Sequence, residues 1–455
     1  METPIIVESK PSLVGGSSGL GSSASDSGSS SGSTPSLEPK VETPITSTAK
    51  PETIGEVNLV STVALLDEPV SELWRDARAM RDKRFPYEAR EQGRQKELHN
   101  LHLFDAVEDA TPAKGEHTPD MVWVEEYRGD EVRARLCVRQ FKQEARDDVF
   151  SGTPDSWIAR FQIRRCAADR ERAIAIIDIS VAFMHADIEE HLIVKVPQGV
   201  KSSTGYWKLK KAVNGTRKAS QSFQEFCAKH LIEWGFTRND HNPALYYDAS
   251  RDVNVEEHGD DFLVDGPRDQ VLALGPLFQE AFLVKKMNLV SMHPEDEKEA
   301  WYLHRKYSVD DEGWHEEIDP RYGETLVKQQ GLEMGQVSKV PGFKSTAETR
   351  ITPSSKTKST AETQINNKLD KHNHTSFRGG AGMAQYMQDR RGDISFATKE
   401  VLRKASSPTG LDDQNLKRIA RYVKGTPRCI LDFPWSPMPE YLDVFVDSEW
   451  SGESS

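Results

Sequence analysis

Apolar and polar positions alternate along two neighbouring stretches of the chain, which is the pattern of half-buried β-strands. In "MVWVEEYRGDEVRARLCVRQF" two such runs flank Gly129-Asp130, a pair typical of a hairpin turn. The apolar run "AIAIIDISVAF" predicts a further strand, and so do the runs on either side of "HGDD". The pattern therefore predicts a hairpin followed by the strands of a core sheet.

Apolar side chains spaced by three and four residues predict helices in other segments. Residues 220–235 form one such stripe, and Gly235 is the signal that ends the helix. Core packing is the preferred interpretation of the stripe, ahead of a cofactor role. Helices are also predicted around residues 156–168, in the charged segment between residues 60 and 100, and from residue 377 onwards.

The chain divides at two segments that hold too few apolar residues to form a core. Residues 1–60 contain a Ser/Gly-rich run and are predicted to be a disordered tail, followed by a charged helical lead-in at 61–96. Residues 341–376 are predicted to be a low-complexity linker, because the hexamer "KSTAET" occurs at Lys344 and again at Lys358. Residues 97–340 and 377–436 have the composition of globular domains, and a last strand is predicted within residues 437–455.

Composition narrows the class of protein. The 455 residues carry a net charge of −13 with a pI near 5.6, which argues against nucleic-acid binding by bulk electrostatics alone. Local basic clusters are compatible with such binding. The four cysteines are scattered without zinc-site spacing, which favours a reducing compartment. No run of 18 apolar residues and no signal-peptide pattern occur, so we expect a soluble intracellular protein without a membrane partner.

Three aspartates lie at the ends of predicted strands. Asp178 comes after the apolar residues of "AIAII", and Asp260 and Asp261 occupy the tip of a predicted hairpin. Three carboxylates brought together across a sheet can hold two divalent cations about 3.5–4 Å apart, an arrangement suited to in-line displacement at phosphorus. The cations would also offset the repulsion between the carboxylates. An Asp-Asp pair alone is a weak signal, because such a pair more often belongs to a solvated turn.

The surrounding motifs resemble the reverse transcriptase of a copia-type long-terminal-repeat retrotransposon. "IIDISVAFMHAD" resembles the family's Leu-Asp-Val-x-x-Ala-Phe-Leu-His-Gly, and "HGDDF" falls where the family has Tyr-Val-Asp-Asp. "VPQGV", "WKLKKAVNGTRKASQSF" and "GFTRNDHNPALYY" match further family motifs in the same order. The resemblance extends from about residue 97 to residue 455. The order of the motifs along the chain is what makes it specific to this family.

The resemblance implies a fold and a reaction. The expected fold is α+β: a right-hand polymerase with fingers, a palm built on an antiparallel sheet and a helical thumb and connection. The expected function is RNA-directed DNA polymerisation with two Mg²⁺ ions, for which Mn²⁺ can substitute. The partners would be an RNA or DNA template with its primer and deoxynucleoside triphosphates. The expected location is the cytoplasm, in a virus-like particle, or the nucleus.

The resemblance also assigns residues. Asp178, Asp260 and Asp261 resemble the catalytic, metal-binding triad, and Phe183 falls at the aromatic residue that excludes a 2′-hydroxyl; core packing is the alternative for Phe183. The remaining substrate-binding candidates are Gly215, which would face the template and incoming base, and Arg133, Arg135 and Arg139, any of which could hold the triphosphate.

The C-terminal strand "LDVFVDSEWSG" resembles the opening strand of a ribonuclease H domain. Asp447 would be the first metal-binding carboxylate of that domain. The later acidic ligands of such a domain do not follow before Ser455. We therefore expect residues 437–455 to be the truncated start of a ribonuclease H domain.

Several positions depart from the family pattern and indicate a degenerate copy. Glu256 and Glu257 precede the aspartates where apolar residues are expected, and successive strand residues face opposite sides. At least one glutamate should therefore enter the core, where an unpaired carboxylate is costly; the alternative is an edge strand from which both reach solvent. Val290 replaces the glycine of an expected turn, and Gly392 replaces a proline.

Two rival functions follow from these departures. The chain could be a catalytically dead remnant that only binds nucleic acid or partners. It could also be a polymerase-like fold that copies DNA templates only.

Overall fold

The computed structural model describes residues 86–128, 131–141, 147–342 and 367–441. The predicted tail at 1–60, the turn pair Gly129-Asp130, most of the predicted linker and the strand containing Asp447 lie outside the described residues. Within them the architecture is α+β with an antiparallel central sheet, so the predicted fold class is confirmed. A search of the helices in these ranges finds none long and apolar enough to span a bilayer.

A six-stranded antiparallel sheet forms the centre of the fold. Its strands are β4 (Arg172–Ile179), β7 (Thr237–Arg238), β8 (Leu245–Asp248), β9 (Val253–His258), β10 (Asp261–Pro267) and β11 (Val284–Ser291). Their order in the sheet is β11-β4-β10-β9-β8-β7. Both faces of the sheet are covered, so the sequence of β4 is an almost continuous apolar run and does not alternate.

Two helices cover one face of this sheet, α3 (Ala219–Glu233) and α4 (Arg268–Ala281). They bury the β4 residues Ala175 and Ile177 together with Phe262 and Val264 of β10. The predicted apolar stripe of residues 220–235 therefore packs into the core: Phe223, Cys227 and Leu231 are buried there, and Phe226 and Trp234 pack against it.

Helix α2 (Ser156–Cys166) and a second sheet cover the other face. Ile174 and Ile176 of β4 and Leu263 of β10 point to this side, as the alternation of strand residues requires. The second sheet has the order β12-β13-β14-β15; its strands are β12 (Glu299–Tyr302), β13 (Arg305–Val309), β14 (Gly313–Ile318) and β15 (Ile430–Pro434).

A hairpin and a small sheet are formed by strands that do not join the central sheet. The hairpin pairs β2 (Met121–Arg128) with β3 (Glu131–Val138), and α1 (Tyr87–Leu103) packs with it around Leu101 and Leu136. The small sheet has the order β1-β6-β5, with β1 (Val107–Asp109), β5 (Ile193–Lys195) and β6 (Tyr206–Leu209).

Four helices form a separate core near the C-terminus: α5 (Arg321–Gln329), α6 (Lys371–Gln388), α7 (Gly392–Arg403) and α8 (Gly410–Gly425). The segment boundaries differ from those expected. Helix α1 crosses the expected boundary at 96/97, α6 begins inside the expected linker, and α5 packs with the later helices. Strand β15 joins a sheet whose other strands precede the linker. Tertiary packing sets each of these limits.

The prediction of a turn at Val290 is wrong. Leu289 and Val290 lie within β11 and pair with Ala175 and Ile174 of β4. Their backbone is extended, a conformation that suits a β-branched side chain. Valine at this position therefore carries no strain and is no sign of decay.

Candidate active site

The predicted aspartates meet at one end of the central sheet. Strand β9 ends at His258, Gly259 turns the chain with a φ of 65°, and β10 begins at Asp261. Glycine adopts this left-handed conformation without a steric penalty, which explains why it occupies the turn. In the ladder between β10 and β4, Asp261 lies directly opposite Asp178.

This register places Asp178, Asp260 and Asp261 at the same end of the sheet. Directly opposite residues of an antiparallel pair have Cβ atoms about 4.5–5.5 Å apart and point to the same face. The backbone carbonyl of Asp260 accepts a 2.9 Å hydrogen bond from the amide of Ile179, which ties the turn to β4. The structure thus places Asp178 beside Asp260 and Asp261, although they are far apart in sequence. Their catalytic role stays a prediction.

The negative charges of the three aspartates affect one another's ionisation. Burial raises the pKa of Asp261 to about 6, and the negative charges of Asp260 and Asp178 act in the same direction. The positive charge of Lys285 of β11 acts in the opposite direction and lowers the pKa of Asp261. The ammonium group of Lys285 forms an ion pair with Oδ2 of Asp178. A positive charge is therefore already in contact with this group of acids.

The donor set fits a divalent cation, which prefers carboxylate oxygens. An added cation would also relieve the repulsion that raises the pKa of Asp261. In the part of the chain that the structure describes, no three His, Cys, Asp or Glu side chains converge closely enough to form a metal site. The side chains of Asp260 and Lys285 are exposed to solvent.

A strained turn follows Asp178. Val181 has φ 48° and ψ 39°, a left-handed conformation that is an outlier for a β-branched residue. Strain of this kind costs on the order of 1–3 kcal/mol and is often found at functional sites. The turn leads into a short 3₁₀ helix, Ala182–His185, that carries Phe183.

Phe183 is half-buried against the main core. Its ring meets that of Phe223 edge to face, with centroids 6.4 Å apart. This contact is what the packing alternative predicts, and partial exposure leaves ring surface for a substrate. The steric-gate role stays a prediction.

The three candidate arginines have different surroundings. Arg133 and Arg135 lie on the more exposed face of β3, as alternation predicts, whereas Arg139 lies just past the end of the strand. Burial lowers the pKa of Arg133, and the charges of Glu126 and Asp260 act in the opposite direction. Among the three arginines, the described contacts therefore link Arg133 electrostatically to the aspartate turn.

Arg139 instead pairs with Asp120 at 2.8 Å and lines a cavity of about 510 Å³. Gln140 and Arg217 also line this cavity, and none of the three aspartates does. The cavity and the carboxylate group are thus separate features of the surface.

Gly215 holds the loop before α3 against the end of β3. Its φ is 86°, and a Cβ atom built on it would lie 2.2 Å from the carbonyl oxygen of Val138. The neighbouring carbonyl of Asn214 accepts a 2.8 Å hydrogen bond from the amide of Val138. Glycine is therefore required here for close backbone approach, whatever its role toward a template.

Glu256 and Glu257 both enter the interior, on opposite faces of the central sheet. Glu256 is 3% exposed and accepts a 3.1 Å hydrogen bond from the hydroxyl of Tyr302; Glu257 is 1% exposed and accepts one of 3.1 Å from Tyr246. The edge-strand alternative is wrong, because β9 lies between β10 and β8.

Burial raises the pKa of Glu256 to about 7 and that of Glu257 to about 8. Each carboxyl has a tyrosine donor, so neither is the unpaired group that the interpretation as damage assumed. One oxygen of Glu256, Oε2, is buried without a partner. The pair is thus partly accommodated, and burial favours the protonated form of both acids, more strongly for Glu257 than for Glu256.

Two residues near the aspartates were missed from the sequence. Lys285 gave no signal, because its contact depends on the pairing of β11 with β4. His185 is buried beside the strained turn, with Nε2 3.2 Å from the carbonyl of Ser180 and 3.4 Å from the amide of Leu283. Burial lowers its pKa to about 4, so the ring is neutral at physiological pH.

Comparison with known proteins identifies the region that contains this site. Residues 113–291 match the family model described as reverse transcriptase (RNA-dependent DNA polymerase). The match includes all three aspartates, Phe183, Gly215 and the three arginines.

Two curated relatives from Arabidopsis thaliana are retrovirus-related Pol polyproteins, from the transposons RE1 and RE2. The chain is 25% identical to the first over 353 residues and 24% identical to the second over 332 residues. These alignments cover 73% and 71% of this chain but only 22% and 21% of the polyproteins. An uncharacterized mitochondrial protein of the same plant is 39% identical over 83 residues, which are 18% of this chain and 33% of that protein.

Among solved structures, an apo telomerase from Candida tropicalis truncated from its C-terminal domain matches 46% of this chain and 56% of its own. The TM-score is 0.32 and the sequence identity is 8%.

Proposed function

Because residues 113–291 match the family model described as reverse transcriptase, we propose that this chain is an RNA-directed DNA polymerase of a copia-type retrotransposon. The observation that carries the proposal is the register that sets Asp178 opposite Asp261, with Asp260 in the adjoining turn. This arrangement lies inside the matched region and at the exposed end of its antiparallel sheet. We include in the proposal an intracellular location, in a cytoplasmic particle or the nucleus, where RNA templates occur.

In the proposed reaction the 3′-oxygen of a primer bonds to the α-phosphorus of a deoxynucleoside triphosphate, and the bond to pyrophosphate breaks. Asp178, Asp260 and Asp261 would hold two divalent cations, Mg²⁺ or Mn²⁺. Bound at this position, the cations would supply charge neutralisation to the attacking and leaving oxygens.

Other side chains would position the substrate. The exposed edge of the Phe183 ring would exclude a 2′-hydroxyl, while Arg133 and Arg135 would contact phosphate oxygens from the hairpin. Gly215 would keep the loop before α3 close to the end of β3, next to Arg139. In this scheme the strain at Val181 holds Phe183 at a fixed angle to Asp178.

Primer extension tests the proposal. The full chain would be assayed with oligo(dT) on poly(rA) and, in parallel, on poly(dA), with Mg²⁺ or Mn²⁺. We expect extension on RNA, and a loss of at least about 100-fold in Asp261→Asn and Asp178→Asn because charge stabilisation of this kind is worth several kcal/mol. The matched control is Asp269→Asn, which removes a carboxylate that is 91% exposed on α4.

The outcomes separate the rivals. Extension on DNA alone would identify a DNA-templated polymerase. Extension that survives in both aspartate variants would show that the aspartates do not carry the reaction.

A second candidate function is nucleic-acid binding without catalysis. It is favoured by the lack of convergence of three metal-binding side chains within the described residues. Binding of a template–primer duplex without any incorporation, with either metal, would support this candidate over the polymerase.

A further inference from the structure

Lys285 reaches the aspartates through an irregularity in the sheet. Strand β11 pairs with β4 so that Val284 lies opposite Ile179 and Lys286 lies opposite Asp178. Lys285 is therefore the extra residue of a β-bulge. A bulge leaves one residue unpaired and re-aims its side chain, and bulges are common beside active sites.

The re-aimed side chain ends on a carboxylate. The ammonium group of Lys285 donates to Oδ2 of Asp178; the side chains are 60% and 29% exposed, respectively. Within the described residues, Lys285 is the one cation in an ion pair with any of Asp178, Asp260 and Asp261. It brings one positive charge to a group of three acids.

We propose that Lys285 is a built-in counter-ion that occupies the cation position at Asp178 in the metal-free protein and is displaced when a divalent ion binds. This inference rests on the proposed function, since it takes the three aspartates as the metal-binding group. In this role Lys285 competes with the metal for Asp178, so its charge lowers the affinity for the metal.

The exposure of the pair makes displacement feasible. Exposed ion pairs contribute little, and a lysine side chain can withdraw its ammonium group into water along a flexible stem. A divalent ion carries twice the charge and can contact several carboxylate oxygens, so it replaces the ammonium group. Metal binding still has to break the ion pair between Lys285 and Asp178. The displaced ammonium group then remains close enough to repel the metal. Lys285 should therefore weaken metal binding by about threefold to tenfold.

The test measures metal binding without turnover. The full chain is titrated with Mn²⁺, and the free ion is quantified by electron paramagnetic resonance for the wild type, Lys285→Met and Lys285→Arg. We expect Lys285→Met to bind Mn²⁺ about three to ten times more tightly than the wild type. Lys285→Arg retains the charge and should bind within about twofold of the wild type.

The matched control is Lys399→Met. It removes the same charge from an exposed residue of α7, which the described contacts do not place in an ion pair with a carboxylate. We expect a change of less than about twofold. Thermal unfolding of each variant without metal establishes that the fold is retained before affinities are compared.

Unchanged or weaker Mn²⁺ binding in Lys285→Met would overturn the inference; weaker binding would mean that Lys285 holds Asp178 in place for the metal. In both cases Mn²⁺ binding by the wild type, lost in Asp261→Asn, would leave the proposed function standing. If neither the wild type nor Lys285→Met binds Mn²⁺, the inference fails, and primer extension then decides the proposed function separately.

Discussion

Removing the charge of Glu257 should stabilise the protein by an amount that grows as pH rises from about 4.5 to about 8. Its carboxyl group is 1% exposed inside the central sheet, where Oε2 accepts a hydrogen bond of 3.1 Å from Tyr246. The substitution Glu257→Gln keeps the size of the side chain and an oxygen that accepts from Tyr246. It removes the ionisation alone, so any change that depends on pH reports the cost of burying the charge.

The direction follows from the two pKa values. Burial raises the pKa of Glu257 from its ordinary 4.5 to about 8, so the folded protein holds the proton more tightly than the unfolded chain. The stabilisation from that proton is fully present below pH 4.5 and is lost as pH rises through about 8. A difference of about 3.5 between the two pKa values corresponds to an upper bound of about 5 kcal/mol. Relaxation around the ionised group reduces this value, and we expect about 2–4 kcal/mol.

Urea unfolding at pH 5 and pH 9 measures the effect. At pH 5, Glu257→Gln should be more stable than the wild type by less than about 1 kcal/mol, because pH 5 lies only slightly above the unfolded pKa of 4.5. At pH 9 the variant should be more stable by about 2–4 kcal/mol. The control Glu280→Gln, on the exposed side of α4, should change stability by less than about 0.5 kcal/mol at either pH. A difference of the same size at both pH values would refute the reasoning, since Glu257 would then not titrate between them.

Two further substitutions test backbone positions by the free energy of unfolding. Gly215→Ala should cost about 2–4 kcal/mol, because the new methyl group meets the carbonyl of Val138 in a left-handed backbone; Gly199→Ala, with φ 92° and no atom within 4 Å, should cost only about 1–2 kcal/mol. Equal losses at the two glycines would rule out the close approach. Gly392→Pro should add about 0.5–1 kcal/mol, because Gly392 is the first residue of α7 and nothing lies within 4 Å of its Cβ position. A lower stability would show that the amide of Gly392 is needed.

The sequence by itself determined the local part of the candidate site. Alternation of apolar residues around "HGDD" defined a strand, a turn and a strand, and glycine before two aspartates located the turn. The apolar run before Asp178 defined β4. These signals have a period of two residues and depend on neighbours in the chain, so they can be read without a structure. The order of the motifs then supplied the family.

The fate of Glu256 and Glu257 was decided by the tertiary structure. Alternation predicted that they face opposite sides, which the structure shows. Whether each side is covered depends on the strands that flank β9 and on the layers packed over them. Tyr302, which donates to Glu256, is 46 residues away in sequence and comes from another sheet. No local pattern reports that a buried acid will find such a donor.

Lys285 shows the same division between local and tertiary information. Its place on a strand is local, but its contact with Asp178 depends on a bulge in the pairing with a strand 107 residues earlier. Likewise, β15 completes a sheet whose other strands lie before the predicted linker. Hydrophobic periodicity fixes which face of an element is buried. The partner of that face is chosen by the packing of the whole chain, because burial free energy depends on the total apolar area covered and not on sequence distance.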